Sequence, residues 1–214
     1  MPRASAVAGL VAVVCAAGCS VPDTERPAEP SPTSAAAQSA TPVPSTTAQR
    51  AGVNQDPAEF ADAVVEHAGA AEVNPVLLMA ILYNESYKPH DPELERAWQK
   101  IDSDAAFGVA NMHRAAFDDT KQGRPFAGRR WEELPDDPEL AIQAAAWYLH
   151  DLAARLPVAE RPPFSHDDLL ALGYNAGPGA MSAVAGGDTP GSQARAYVDK
   201  LRGNWAKAEA AVAR

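Results

Sequence analysis

Apolar residues beyond position 55 recur at helical spacing, and no convincing run of β-branched residues alternates with polar ones. Asp, Asn and Ser residues mark where the predicted helices begin, because their side chains cap a first turn, and proline often follows at the first helical position. The predicted helices cover residues 56–67, 75–86, 91–100, 137–156, 165–175 and 192–212. This pattern predicts an all-α fold.

Two of these helices carry further structural signals. The helix that begins at Asp137-Pro138 has an apolar stripe for packing against a core, formed by Ile142, Ala145, Leu149, Leu152 and Leu156. The helix that begins at Ser165 reaches Tyr174-Asn175, where Gly177-Pro178-Gly179 predicts a sharp turn. A loop of this kind is suited to a binding or catalytic site.

The N-terminal residues 1–18 have the pattern of a bacterial lipoprotein signal peptide. Arg3 precedes an apolar run that is too short to span a bilayer, and the small residues Ala17-Gly18 precede Cys19. We therefore expect Cys19 to be the lipidated N-terminus of the mature protein, anchored in the cell membrane on its extracytoplasmic face. An ordinary secreted protein cut nearby is the alternative, and it would keep a free thiol.

The composition divides the rest of the chain into a tether and one domain. Residues 19–55 are rich in Pro, Ser, Thr and Ala with few large apolar side chains, so they predict a disordered linker. Residues 56–214 are long enough for one domain with its own core. Both cysteines lie in the signal region, so disulfides cannot stabilise that domain.

The charge and the histidine pattern narrow the classes of partner. A formal net charge of −10 argues against nucleic acid, because phosphate binding depends on clustered Lys and Arg. The five histidines are scattered without metal-binding spacing, and the glycine pairs lack the residues of a phosphate loop. We expect no metal, no cofactor and no nucleic acid.

Glu85 is the candidate for acid–base chemistry. It follows Leu78, Ile81 and Leu82 on the stripe of one predicted helix, which places a carboxyl group on the side that faces the core. Burial and the negative end of the helix dipole both favour the protonated form that a general acid needs. Glutamates near helix ends are mostly solvated surface residues, so Glu85 alone would not indicate catalysis.

Four short motifs change this interpretation because of the order in which they occur. They are Glu85-Ser86, Gly108-Val109-Ala110-Asn111-Met112, Tyr174-Asn175-Ala176-Gly177 and Tyr197-Val198. Over residues 56–214 the chain resembles the lytic transglycosylases of the lysozyme superfamily, which carry such motifs in this order. The chain departs from the family pattern at Asn111, where glutamine is usual, and in a charged insert at 89–104.

The resemblance implies a lysozyme-like helical domain with a substrate groove. It implies a monomeric enzyme that cleaves the glycan strands of peptidoglycan between N-acetylmuramic acid and N-acetylglucosamine, leaving 1,6-anhydro ends during remodelling of the cell wall. Glu85 would be the catalytic residue. The implied substrate-binding residues are Ser86, Gly108, Asn111, Tyr174, Asn175 and Tyr197.

Two alternatives from other classes remain open. A hydrolytic muramidase would admit water and use a second acid such as Asp102 or Asp104. A non-catalytic wall-binding lipoprotein would keep the fold but not the reaction, and the insert and Asn111 are the features that favour it. The intact Glu85 argues against this second alternative.

Overall fold

The computed structural model describes residues 55–88, 90–102, 104–156 and 163–214. In those ranges the helices are α1 (Ala61–Ala70), α2 (Pro75–Glu85), α3 (Pro92–Gln99), α4 (Arg114–Thr120), α5 (Pro138–Ala153), α6 (His166–Ala185) and α7 (Ser192–Val212). Short 3₁₀ turns occur at Pro57–Phe60 and Trp131–Glu133, and strands β1 (Ala106–Phe107) and β2 (Met112–His113) form the only sheet of the described part. The predicted all-α class is confirmed.

The N-terminal predictions fall outside this part of the chain. The signal peptide at 1–18, Cys19 and all of the predicted linker except Gln55 precede or border the described residues. Within those residues, no helix is both long and apolar enough to cross a membrane.

Helix α2 is the centre of the domain. Every residue from Leu77 to Glu85 is buried, whereas the sequence pattern predicted one buried stripe. A helix that is apolar on all sides lies inside a protein rather than on its surface, and α2 is accordingly packed against α1 and α7. Asn74 caps its first turn by accepting a hydrogen bond from the Val76 amide at 3.0 Å. Glu85, the last residue of α2, therefore lies at the end of a buried helix.

The helix starts agree with the predictions except at the first helix, where a 3₁₀ turn at Pro57–Phe60 precedes α1 and α1 continues to Ala70. The ends of α5 and α6 also differ from the predicted ones. The stripe of α5 is buried as predicted except at its end, because α5 stops at Ala153 and leaves Leu156 partly buried beyond it. The predicted sharp turn at Gly177 is a kink inside α6, where Gly177 has φ 83° and ψ 164°. After Pro178 the helix resumes and continues to Ala185.

The hairpin β1–β2 and helix α4 were not predicted from the sequence. Strands of two residues are too short to show alternation, so their formation depends on tertiary contacts. One such contact is the indole of Trp131, which donates a hydrogen bond to the Met112 carbonyl at 2.9 Å. The buried Trp131 ring also packs on Phe107, with 5.0 Å between ring centroids.

Helices α6 and α7 are joined by a buried carboxylate. Asp168 accepts hydrogen bonds from the Arg202 guanidinium at 2.7 and 3.0 Å, and it caps α6 by accepting another from the Ser165 amide at 2.9 Å. Burial opposes ionisation of Asp168, but the hydrogen bonds from Arg202 and Ser165 outweigh it and lower the pKa below its ordinary 3.8. The ionised form of Asp168 therefore stabilises the folded domain.

Replacing this carboxylate is expected to cost stability in a pH-dependent way. Asp168→Asn should lower the free energy of unfolding by about 2 kcal/mol near neutral pH, since it removes a charged hydrogen-bonded pair. A carboxyl group whose pKa is lower in the folded protein contributes its full stability at pH values above the pKa of the unfolded state. This stability is lost as the pH falls through the pKa of the folded state. Urea unfolding of both proteins should show a difference that is constant above about pH 5 and shrinks below about pH 4. A difference that stays constant down to pH 2 would contradict this account.

Candidate active site

Glu85 is held by donors from two other parts of the chain. Its side chain is only 5% exposed. The Tyr197 hydroxyl donates a hydrogen bond to Oε1 at 2.7 Å, and the Asn111 amide donates one to Oε2 at 2.9 Å. Each carboxyl oxygen therefore has a fixed partner, which restricts rotation of the carboxyl group.

The neighbouring Asn84 holds α7 against α2. The buried Asn84 side chain donates to the Tyr197 carbonyl at 3.0 Å and accepts from the Asn204 amide at 2.9 Å. Lys200 donates to the Asn84 carbonyl at 2.6 Å. Because three residues of α7 bond to Asn84, the Tyr197 hydroxyl is positioned at Glu85 by backbone as well as side-chain contacts.

The second donor to Glu85 comes from the turn between β1 and β2. The backbone N–H of Asn111 donates a hydrogen bond to the Gly108 carbonyl at 2.8 Å, which closes a four-residue turn. Gly108 and Asn111 have φ of 74° and 49°, in the left-handed region where glycine is favoured and asparagine is tolerated. The turn aims the short Asn111 side chain at the end of α2.

Glu85 opens into a groove with two connected parts. The part that contains Glu85 has a volume of about 520 Å³, and the adjoining part has about 360 Å³. Both parts are lined by Asn111, His113, Tyr174 and Asn175. An extended ligand that crosses from one part to the other would therefore pass the residues next to Glu85.

Tyr174 and Tyr197 stay protonated across the physiological pH range. Burial and the nearby charge of Glu85 raise the pKa of each phenol well above its ordinary value. The Tyr197 hydroxyl donates its hydrogen bond to Glu85, whereas the Tyr174 hydroxyl donates to the Ala110 carbonyl at 2.7 Å. Tyr174 thereby fixes the same turn that carries Asn111.

The structure brings four of the six predicted substrate-binding residues into the groove: Asn111, Tyr174, Asn175 and Tyr197. Asn175 is exposed there. Ser86 and Gly108, the other two, are not among the residues that line this groove. The Ser86 hydroxyl donates to the Tyr83 carbonyl at 2.9 Å, so it closes the end of α2. Gly108 is buried under Leu134 and Ala141, so its part is to shape the turn.

The sequence reasoning missed several side chains of the groove wall. These are Tyr87, Lys88, Trp98, His113 and Lys200. The same wall includes Asp102 and Asp104, the two acids named for the hydrolytic alternative. The exposed fractions of Tyr87 and Trp98, 64% and 54%, are unusual for aromatic residues and would be a signal once a structure is known. In the sequence alone, an aromatic residue reads equally well as part of the core.

The insert is attached to the site by Glu95 of α3. Its carboxylate accepts a hydrogen bond from the Gly108 amide at 2.9 Å through Oε2, and Oε1 lies 3.0 Å from His90. The contact places α3 beside the turn that carries Asn111, and Trp98 of α3 lines the groove. The insert is therefore part of the groove wall in the described structure.

A comparison with protein families agrees with this geometry. The family model of the transglycosylase SLT domain matches residues 62–193. The chain belongs to the SLT transglycosylase family. It is therefore a peptidoglycan lytic transglycosylase with a lysozyme-like domain. No match was found among curated proteins.

The matched range of the SLT domain covers most of the site but not all of it. Glu85, Asn111, Tyr174 and Asn175 lie within residues 62–193, and Tyr197 follows that range by four positions. The bond from Tyr197 to Glu85 nevertheless makes α7 part of the site. Among the described residues, no cluster of His, Cys, Asp or Glu side chains is arranged to hold a metal ion.

Proposed function

We propose that this SLT domain cleaves the β-1,4 bond between N-acetylmuramic acid and N-acetylglucosamine without net addition of water, for remodelling of the cell wall. The observation that carries the proposal is the setting of Glu85. Within the described residues, the side chains that hydrogen-bond to this buried carboxyl group are an amide and a phenol, and neither is a second carboxylate. One carboxyl group would then serve as acid and base in turn.

In the first step Glu85 gives its proton to the glycosidic oxygen as the bond from that oxygen to the anomeric carbon breaks. N-acetylglucosamine leaves with the proton, and the carbonyl oxygen of the muramic acetamido group bonds to the anomeric carbon. Substrate assistance of this kind replaces the carboxylate nucleophile of ordinary retaining glycosidases. The Asn111 and Tyr197 donors stabilise the carboxylate that Glu85 becomes.

In the second step the Glu85 carboxylate takes the proton of the muramic 6-hydroxyl. The hydroxyl oxygen attacks the anomeric carbon, the acetamido oxygen is released, and a 1,6-anhydro ring closes. Glu85 ends protonated, ready for another cycle. By family resemblance, Asn175 orients the acetamido group, and its exposure in the groove leaves its amide accessible to a sugar.

A hydrolytic reaction is the second candidate, because Asp102 and Asp104 line the same groove as Glu85. A second carboxylate there could activate water, as in inverting glycosidases. However, an oxygen of the Asp102 carboxylate already accepts a hydrogen bond from the Asp104 amide at 3.0 Å. This contact restricts Asp102 and leaves Asp104 as the freer acid.

The products distinguish these reactions. Purified sacculi digested with the wild-type protein are expected to release muropeptides with 1,6-anhydro ends, which are lighter by one water than reducing products. Mass spectrometry before and after borohydride reduction measures this, since anhydro ends are not reduced. Reducing ends would establish the hydrolase, and pelleting with sacculi without any release would establish a wall-binding protein.

We also propose that the protein is anchored to the extracytoplasmic face of the cell membrane through Cys19. The support is the sequence pattern of residues 1–19, and two or three acyl chains are enough for stable anchoring. The linker at 19–55 would let the domain reach the wall. Wild-type protein should enter the detergent phase of a detergent extraction, and the Cys19→Ser variant should stay in the aqueous phase.

A further inference from the structure

We propose that Lys88 is a positioning residue that fixes the orientation of the Asn111 amide and so determines which hydrogen bond Glu85 receives. The inference rests on the proposed function for its kinetic consequences, but the orientation itself does not depend on any substrate. Lys88 follows Glu85 by three residues and lies on the groove wall. Neither the sequence motifs nor the family match assigns it a role.

The geometry is a chain of hydrogen bonds with one direction. Lys88 Nζ donates to Asn111 Oδ1 at 2.8 Å, and Asn111 Nδ2 donates to Glu85 Oε2 at 2.9 Å. A lysine ammonium has donors and no acceptor, so it requires the amide oxygen of Asn111 on its side. The NH₂ group must then face Glu85, which is the partner that a carboxylate needs.

The orientation of the Asn111 side-chain amide depends on its hydrogen-bond partners. With φ of 49° the residue occupies the left-handed region, which asparagine tolerates better than longer side chains do. Its short side chain lies between Lys88 and Glu85. Because the two ends of a carboxamide have nearly the same shape, packing cannot select between them and the hydrogen-bond partners must.

Without Lys88, the Asn111 amide can turn over and present its oxygen to Glu85. That oxygen would accept a hydrogen bond from the protonated acid and retain the proton that has to be transferred. The carboxylate formed in the first step would also lose one of its donors.

The first test is kinetic and uses Lys88→Met, Lys88→Arg and Lys100→Met with soluble glycan strands as substrate. For Lys88→Met we expect kcat to fall about tenfold with little change in KM, as for one hydrogen bond that matters in the transition state. The alkaline fall of the pH–rate profile should move to higher pH, since the protonated acid is retained. Lys88→Arg keeps the charge and the donors and should restore both. Lys100 is an exposed lysine outside the groove, so Lys100→Met should change neither kcat nor the pH–rate profile.

A double-mutant cycle separates positioning from direct contact with a substrate anion. In an Asn111→Ala background, Lys88→Met should have no further effect, because the amide through which it acts is gone. If Lys88 bound the substrate directly, Lys88→Met would raise KM equally in both backgrounds. That result, or a Lys88→Met enzyme with the kcat and pH profile of wild type, would overturn the proposal.

The second test needs no activity. The side-chain NH₂ signals of Asn111, assigned by their loss in Asn111→Ala, should follow the titration of Glu85 in wild type and not in Glu85→Gln. In Lys88→Met this response should largely disappear, and an unchanged response would overturn the proposal. If the response disappears but the wild-type protein releases no glycan products, the orientation by Lys88 stands and the proposed function fails.

Discussion

Glu85→Gln is expected to reduce the release of 1,6-anhydro muropeptides by about 10³-fold or more, which is within the range attributed to general acid–base catalysis. Glutamine has nearly the shape of glutamate but carries no transferable acid proton and cannot serve as a base in the second step. Both halves of the proposed reaction therefore fail at once. Binding to sacculi should persist, because the groove is unchanged.

The substitution should leave the domain folded. The glutamine oxygen can accept from the Asn111 amide in place of Oε2, and its NH₂ group can donate to the Tyr197 hydroxyl oxygen in place of Oε1. The loss of charged hydrogen bonds is offset by removal of an ionisable group from a buried position. We expect the free energy of unfolding to stay within about 1 kcal/mol of wild type.

The measurement is the initial rate of product release by mass spectrometry, with circular dichroism melts and sacculus pelleting on the same samples. Glu209→Gln is the matched control, since Glu209 is exposed on α7 and lies outside the groove. It should retain the wild-type rate. A folded Glu85→Gln protein that releases anhydro products at the wild-type rate would show that Glu85 is not the acid.

Gly108→Ala is expected to lower the free energy of unfolding by about 3 kcal/mol. A methyl group at this position would lie 2.9 Å from the Leu134 carbonyl oxygen, 3.1 Å from Leu134 Cβ and 3.2 Å from Ala141 Cβ. The oxygen belongs to the backbone and both Cβ atoms are bonded directly to it, so none of the three can move aside as the end of a flexible side chain would. The positive φ of 74° adds the left-handed penalty of about 1–2 kcal/mol, and overpacking adds about 1–3 kcal/mol.

Two other glycines separate these contributions. Gly123 has a similar φ of 72° with nothing within 4 Å of an added methyl group, so Gly123→Ala should show the backbone penalty alone, about 1 kcal/mol. Gly203 lies inside α7, also with open space around it, so Gly203→Ala should stabilise the domain by about 0.5–1 kcal/mol. The ranking of the three variants tests the close approach at Gly108.

Chemical denaturation of all three variants measures these differences, and the activity of the folded protein adds a second readout. The turn that Gly108 begins also carries Asn111, so displacement of Gly108 should reduce activity even below the unfolding transition. We expect Gly123→Ala to retain the wild-type rate. Equal stability losses for Gly108→Ala and Gly123→Ala would show that the contact with Leu134 is relieved at little cost.

Most helix starts and the fold class followed from the sequence because they depend on local chemistry. Asn74, Asp91, Asp137 and Ser165 each cap the helix that was predicted to begin there, by hydrogen bonds to amides two or three residues ahead. Such contacts join residues that are close in the sequence. The position of Glu85 at the end of an apolar helix could be predicted for the same reason, and the ordered motifs indicated the family of the chain.

The surroundings of Glu85 could not be read in this way, because they depend on packing between distant segments. Tyr197 is 112 positions from Glu85, and its hydroxyl reaches the carboxyl group only because α7 packs along α2. The burial of α2 on every side likewise needed its neighbours. A hydrophobic stripe shows which residues avoid water, but it does not show how many helices will cover them.

The turn from Gly108 to Asn111 shows most clearly what the tertiary structure decided. The motif placed both residues among the substrate contacts, but the fold buries Gly108 under Leu134 and aims Asn111 at Glu85. Lys88 enters the same network although no motif included it. Sequence patterns record which residues are present and the contacts they make with near neighbours. The direction of a hydrogen bond is set by which donors and acceptors the folded chain brings within about 3 Å.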